Sequence, residues 1–107
     1  MKFGLKDNEI KEIQHIFANC SRIILAKVFG SRAMGNYKSG SDVDIALFGD
    51  ELTTDDISHI KYVLNEENLM PYIFDILHYN TLLNVRLKNH IDEVGIIIYG
   101  NDFYKSK

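Results

Sequence analysis

At 107 residues the chain predicts a single domain, residues 1–107, with room for one hydrophobic core. Its formal net charge of −3 disfavours the broad nucleic-acid phosphate-backbone binding that needs a basic face, and no apolar stretch approaches the roughly 20 residues of a membrane span. Cys20 stands alone, so no internal disulfide forms, and the opening Met-Lys-Phe-Gly-Leu-Lys-Asp has no signal-peptide pattern; both features predict a soluble cytoplasmic protein.

Elements alternate along the chain. Residues 7–19 read as a helix capped by Asp7 or Asn8, with Ile10, Ile13, Ile16 and Phe17 at helical spacing. Residues 22–29 read as a strand broken by Gly30-Ser31, and Ser31 is placed to cap a short helix over 32–35. A polar loop over 36–41 leads to a second strand, 42–48, closed by Gly49-Asp50. Thr53 followed by Asp56 resembles a capping box with Asp in place of Glu, opening a helix to about residue 66. Pro71 starts a strand running through 78. Asn80 or Thr81 then caps a helix whose apolar side is Leu82, Leu83, Val85, Leu87 and Ile91. Gly95 ends that helix, Ile96–Tyr99 reads as a last short strand, and residues 101–107 as a frayed tail.

The class is α/β (α+β), a small mixed sheet flanked by helices. The connection between the first two strands is too short for an ordinary helical crossover, so they are expected to be antiparallel.

The chemistry lies in three aspartates. Asp42 and Asp44 are two apart in a strand and so share one face. Two carboxylates about 4 Å apart repel by roughly 4 kcal/mol at an effective dielectric of 20. A divalent cation with oxygen ligands, such as Mg2+, offsets that repulsion. The competing reading is two solvated acids at a strand start. Asp75 lies between Ile73-Phe74 and Ile76-Leu77, which predicts a strand buried on nearly both faces. Beside the second strand, Asp75 would join the other two and could hold a pair of ions. Gly30-Ser31 ends a strand and opens a helix, a turn that presents backbone N–H groups to phosphate. Arg32 and Lys38 are nearby cations for outer phosphates, while Ala33 and Met34 read as packing residues. His15, His59, His78 and His90 have no zinc-like spacing and read as surface or core-edge residues.

Taken together, Val28-Phe29-Gly30-Ser31-Arg32-Ala33, Gly35, Ser41-Asp42-Val43-Asp44-Ile45-Ala46 and Asp75 resemble the minimal nucleotidyltransferases of the DNA polymerase beta superfamily. The likeness spans about residues 10–99. It implies a polymerase beta palm-like fold with helices on one face of the sheet. It also implies that Asp42, Asp44 and Asp75 are catalytic and hold Mg2+, two ions in all. Gly30, Ser31, Arg32 and Ser41 would bind the nucleotide, with ATP as the substrate. Members this short resemble the antitoxin half of two-gene modules whose partner is a helical HEPN-type toxin, and active ones transfer AMP to a tyrosine of that partner. The resemblance thus implies a protein adenylyltransferase. Two alternatives are a binding module that masks the toxin without catalysis and a small-molecule, aminoglycoside-type nucleotidyltransferase. One departure is Met34, where relatives often carry Arg.

Overall fold

The computed structural model describes residues 1–101. Residues 102–107, most of the stretch expected to be a frayed tail, lie outside the described residues. Four strands, β1 (Leu25–Phe29), β2 (Val43–Phe48), β3 (Phe74–His78) and β4 (Ile96–Gly100), form one sheet in the order β3-β2-β1-β4. β1 pairs antiparallel with both β2 and β4, and β2 pairs parallel with β3. The helices are α1 (Asp7–Ala18), α2 (Gly30–Met34), α3 (Thr54–Glu66) and α4 (Val85–Val94).

Connection length decides these pairings. Between β1 and β2 stand only the five-residue α2 and a loop, so the chain returns antiparallel, as expected. Between β2 and β3 stands the 13-residue α3, long enough for the crossover that a parallel pair requires.

The main core fills the side of the sheet covered by α1 and α3. Ile13, Ile16 and Phe17 of α1 and Ile60 and Leu64 of α3 pack on Ala26, Val28, Val43, Ile45, Leu47, Phe74 and Ile76. Each of these side chains larger than alanine, once buried, contributes about 1.5–3 kcal/mol. The opposite face is not bare, as the resemblance implied. Ile91 of α4 packs there on Phe29 and Ala46, with Leu87 and Val94 beside it.

Several boundaries differ from the sequence reading, each for a local reason. Helix α1 begins after Lys6, not at an Asp7 or Asn8 cap, because the Glu9 carboxylate accepts the Lys6 N–H at 2.8 Å and closes the first turn from inside. Ser31 does not cap α2. The helix already starts at Gly30 behind an extended Phe29. Asn80 and Thr81 belong to a separate 3₁₀ turn (Tyr79–Thr81), and α4 is capped by Asn84, whose Oδ1 accepts the Leu87 N–H at 3.1 Å. β3 is an edge strand, not one buried on both faces: Phe74 and Ile76 face the core, while Asp75 is exposed and the preceding Ile73 is 68 % exposed.

The capping box at α3 matches the sequence reading. Thr53 Oγ1 accepts the Asp56 N–H and Asp56 Oδ2 accepts the Thr53 N–H, both at 3.0 Å. Asp56 also receives two bonds from Arg22, and that guanidinium, with the Thr53 amide, holds its carboxyl far below the usual range. Thr53→Ala is predicted to lower the unfolding free energy by about 1 kcal/mol. Urea denaturation followed by circular dichroism measures it, and an unchanged midpoint contradicts the assignment.

Candidate active site

At one end of the sheet, β1 finishes where β2 and β3 begin. Phe29 pairs with Asp44, and Asp44 pairs with Asp75. Neighbouring strands lie about 4.8 Å apart, so the two carboxylates leave adjacent backbones on the same face. That face is the one carrying α4, since Val43, Ile45, Phe74 and Ile76 point into the core on the other side. Asp42 lies one residue before β2, just outside the strand expected to contain it, and two residues before Asp44. The structure therefore brings the three predicted acids to one place.

Local contacts fix each acid's backbone. The Asn65 side chain clamps Phe74 from both sides, accepting its N–H at 2.8 Å and donating to its carbonyl at 3.1 Å. The Val43 N–H donates to the Ile73 carbonyl at 2.9 Å. These bonds hold the start of β3 in register, and with it Asp75. At the far end of the same strand pair, the Gly49 N–H donates to Asn80 Oδ1 and His78 Nε2 meets the Gly49 carbonyl.

The Gly30 backbone packs directly against the Asp44 carboxylate. Its φ is +70, and a Cβ built there would run into Asp44 Oδ2. Any side chain at position 30 would both strain the backbone and displace the carboxylate. The turn thus requires glycine for two separate reasons. Ser31 follows in the first turn of α2, and Gly35, at φ +83, ends the helix with its N–H on the Ser31 carbonyl at 2.9 Å.

The acids repel one another. Burial raises the Asp44 carboxyl above its ordinary value of 3.8; Asp75 and then Asp42 push it further up, while His90 and Arg32 pull it down. A partly buried carboxylate held beside two others is a cluster that a divalent cation would relieve. Among the described residues, no group of three His, Cys, Asp or Glu side chains is arranged to hold a metal ion by itself. The donor chemistry also suits Mg2+, which keeps several waters and shares one or two carboxylates with substrate phosphates.

The nucleotide-binding candidates divide. Gly30 and Ser31 stand beside Asp44. Ser41 sits in the loop entering Asp42, its Oγ accepting the Lys38 N–H at 2.9 Å. Arg32 does not reach outward as a phosphate cation. It is 3 % exposed, with its guanidinium bonded to the carbonyls of Phe3 and Ser41. Met34 is 50 % exposed, so it is not the packing residue the sequence suggested, whereas Ala33 does pack on the core.

Sequence reasoning missed His90. It lies on α4 with Nε2 accepting the Gly30 N–H at 3.2 Å and its ring edge-on to Phe29 at 6.1 Å. No spacing or composition signal separates His90 from the other three histidines; only the packing of α4 brings it to the glycine turn.

The raised Asp44 carboxyl has a stability consequence. A carboxyl whose folded pKa exceeds its unfolded one stabilises the fold below the unfolded value and loses that contribution as pH rises through the folded value. Without metal, Asp44→Asn is therefore predicted to match the unaltered protein near pH 3 and to exceed it in Tm at pH 7. If Asp44 helps to hold Mg2+, saturating Mg2+ reverses the order at pH 7, because an ion stabilises only the protein that binds it. Thermal melts at the two pH values decide this, and a metal-free Asn variant less stable at pH 7 contradicts it.

Comparison with known proteins fits this geometry. The family described as polymerase beta, nucleotidyltransferase matches residues 11–104. No curated protein sequence matches the chain. Among solved structures, a toxin–antitoxin crystal structure with AMP-PNP is similar at TM-score 0.70 and 19% identity, over 95% of this chain and 79% of that one. A complex of the tri-AMPylated Shewanella oneidensis HEPN toxin with MNT antitoxin is similar at TM-score 0.61 and 17% identity, over 92% and 73%. The toxin–antitoxin MntA-HepT gives TM-score 0.61 and 17% identity, over 92% and 74%. At these identities the structural likeness establishes the fold. The family match covers most of the chain, and the chain belongs to the polymerase beta nucleotidyltransferase family.

Proposed function

We propose that this protein is a Mg2+-dependent adenylyltransferase that transfers AMP from ATP to a hydroxyl of a helical, HEPN-type partner protein and so acts as its antitoxin. The observation that carries the reading is the pairing of Asp44 with Asp75 across β2 and β3, beside a position that admits only glycine. Family membership supports nucleotidyl transfer, and the similar toxin–antitoxin complexes support the partner class.

In this reading Asp42, Asp44 and Asp75 hold two Mg2+ ions. The bound ions would neutralise phosphate charge and lower the pKa of the attacking hydroxyl. The Gly30-Ser31 turn receives the triphosphate, with backbone close to the phosphates and the Ser31 hydroxyl as donor. Asp75, on the edge strand of the sheet, accepts the proton of the attacking hydroxyl. The hydroxyl oxygen bonds to the α-phosphorus, the bond to the bridging oxygen breaks, and pyrophosphate leaves with that electron pair. The edge position of β3 leaves Asp75 open to a large acceptor such as a protein side chain.

A second reading, a module that neutralises a helical partner by masking it, draws on one observation. Neither Arg32, which is buried, nor Met34, which is uncharged, offers a free cation at the turn. Labelled ATP separates the two. With Mg2+, α-labelled ATP and the product of the neighbouring reading frame, label is predicted to appear on that product and to vanish with Asp44→Asn. Complex formation without label from any nucleotide would establish masking instead.

A further inference from the structure

We propose that Arg32 is a positioning residue: its buried guanidinium holds the Ser41 carbonyl and thereby aims the Asp42 carboxylate at the divalent cation. The inference rests on the metal-binding reading above and extends it to a side chain that touches neither metal nor nucleotide.

Asp42 needs such a device. It precedes β2, so no strand pairing orients its backbone. The peptide after it is held on the strand side by the Val43 N–H on the Ile73 carbonyl, and the peptide before it is held on the loop side, through Ser41. The Ser41 carbonyl and the Asp42 amide lie in one planar peptide unit, so holding that oxygen sets the plane from which Asp42 departs. Arg32 holds it twice, through Nε at 3.1 Å and Nη2 at 2.7 Å. The loop closes on itself as well, with the Ser41 N–H on the Lys38 carbonyl at 3.0 Å.

The guanidinium is itself immobilised. Nη1 donates to the Phe3 carbonyl at 2.9 Å, and the Tyr37 and Tyr72 rings each lie 5.2 Å from the guanidinium carbon. Tyr72 is tied in turn, its hydroxyl donating to Glu9 at 2.7 Å. On the N-terminal side, Phe3 adopts φ 59 and Gly4 φ 72, so the backbone turns sharply to present the Phe3 oxygen. Holding a non-glycine residue in that region costs free energy, and the arginine contact is what the turn provides. Burying a full charge is costly unless it is hydrogen-bonded, and here the two anchoring acceptors are neutral carbonyls of two separate segments. A planar fork suits that task; the single ammonium of a lysine cannot hold both carbonyls in the same geometry.

The test is Mn2+ binding to the full-length chain, followed by electron paramagnetic resonance, with Tm measured on every variant. Arg32→Lys is predicted to remain folded and to weaken Mn2+ binding by about 10- to 100-fold, the effect typical of removing a group that orients a metal ligand. Tyr37→Leu, which removes one stacking ring and leaves the hydrogen bonds, is predicted to weaken it by a smaller factor and decides the matter if Arg32→Lys does not fold. Ile60→Val in the core lowers Tm without touching the loop and is predicted to leave Mn2+ affinity unchanged, so general destabilisation does not account for the loss. A folded Arg32→Lys protein that binds Mn2+ within about twofold of the unaltered chain overturns the proposal. If the unaltered chain binds no Mn2+, the acid cluster is not a metal site and the proposal falls with that reading.

Discussion

Repulsion among carboxylates governs the working end of this molecule. Asp44 is partly buried, pairs in register with Asp75, and lies two residues from Asp42. The fold does nothing to separate them. It packs the glycine turn against Asp44 and clamps the strand that carries Asp75. Such an arrangement costs stability in the isolated chain, and proteins keep strain of this kind where function uses it. Family membership in the polymerase beta nucleotidyltransferases gives that cost a purpose.

Two layers of support stand behind the acids. Asn65 stands in for a neighbouring strand at the start of β3, where an edge strand would otherwise slip. His90 accepts the Gly30 N–H, one of the backbone donors that the start of α2 leaves without a partner inside the helix. Both come from helices on opposite faces of the sheet, so the site depends on the packing of α3 and α4 as well as on the strands. On the loop side, the N-terminal turn at Phe3-Gly4 reaches the site through a single arginine.

Much of this was legible in the sequence because it rests on local rules. Alternation fixed which residues of β2 face the core, loop length fixed the antiparallel β1–β2 pair, and Thr53 with Asp56 marked the start of α3. The spacing Gly30-Ser31, Asp42, Asp44 and the isolated Asp75 located the acids that the structure places together. What was not legible depends on tertiary packing. Asp75 was expected between two buried faces, yet β3 is an edge strand, and nothing in Tyr-Ile-Phe-Asp-Ile-Leu reports strand order. Arg32 read as a phosphate cation because its position suggested it, whereas burial between two tyrosines commits its donors elsewhere. His90 and Asn65 act from positions 60 and 9 residues away from their partners in the chain, and no short pattern records such contacts.

The most direct test of the central claim is the titration of the Asp44 side-chain carboxyl by carbon NMR, with and without Mg2+. In the metal-free protein the carboxyl is predicted to titrate above the ordinary carboxylate range, and Mg2+ should bring it down as the ion takes up the charge. A carboxyl that titrates normally and does not respond to Mg2+ would contradict the account.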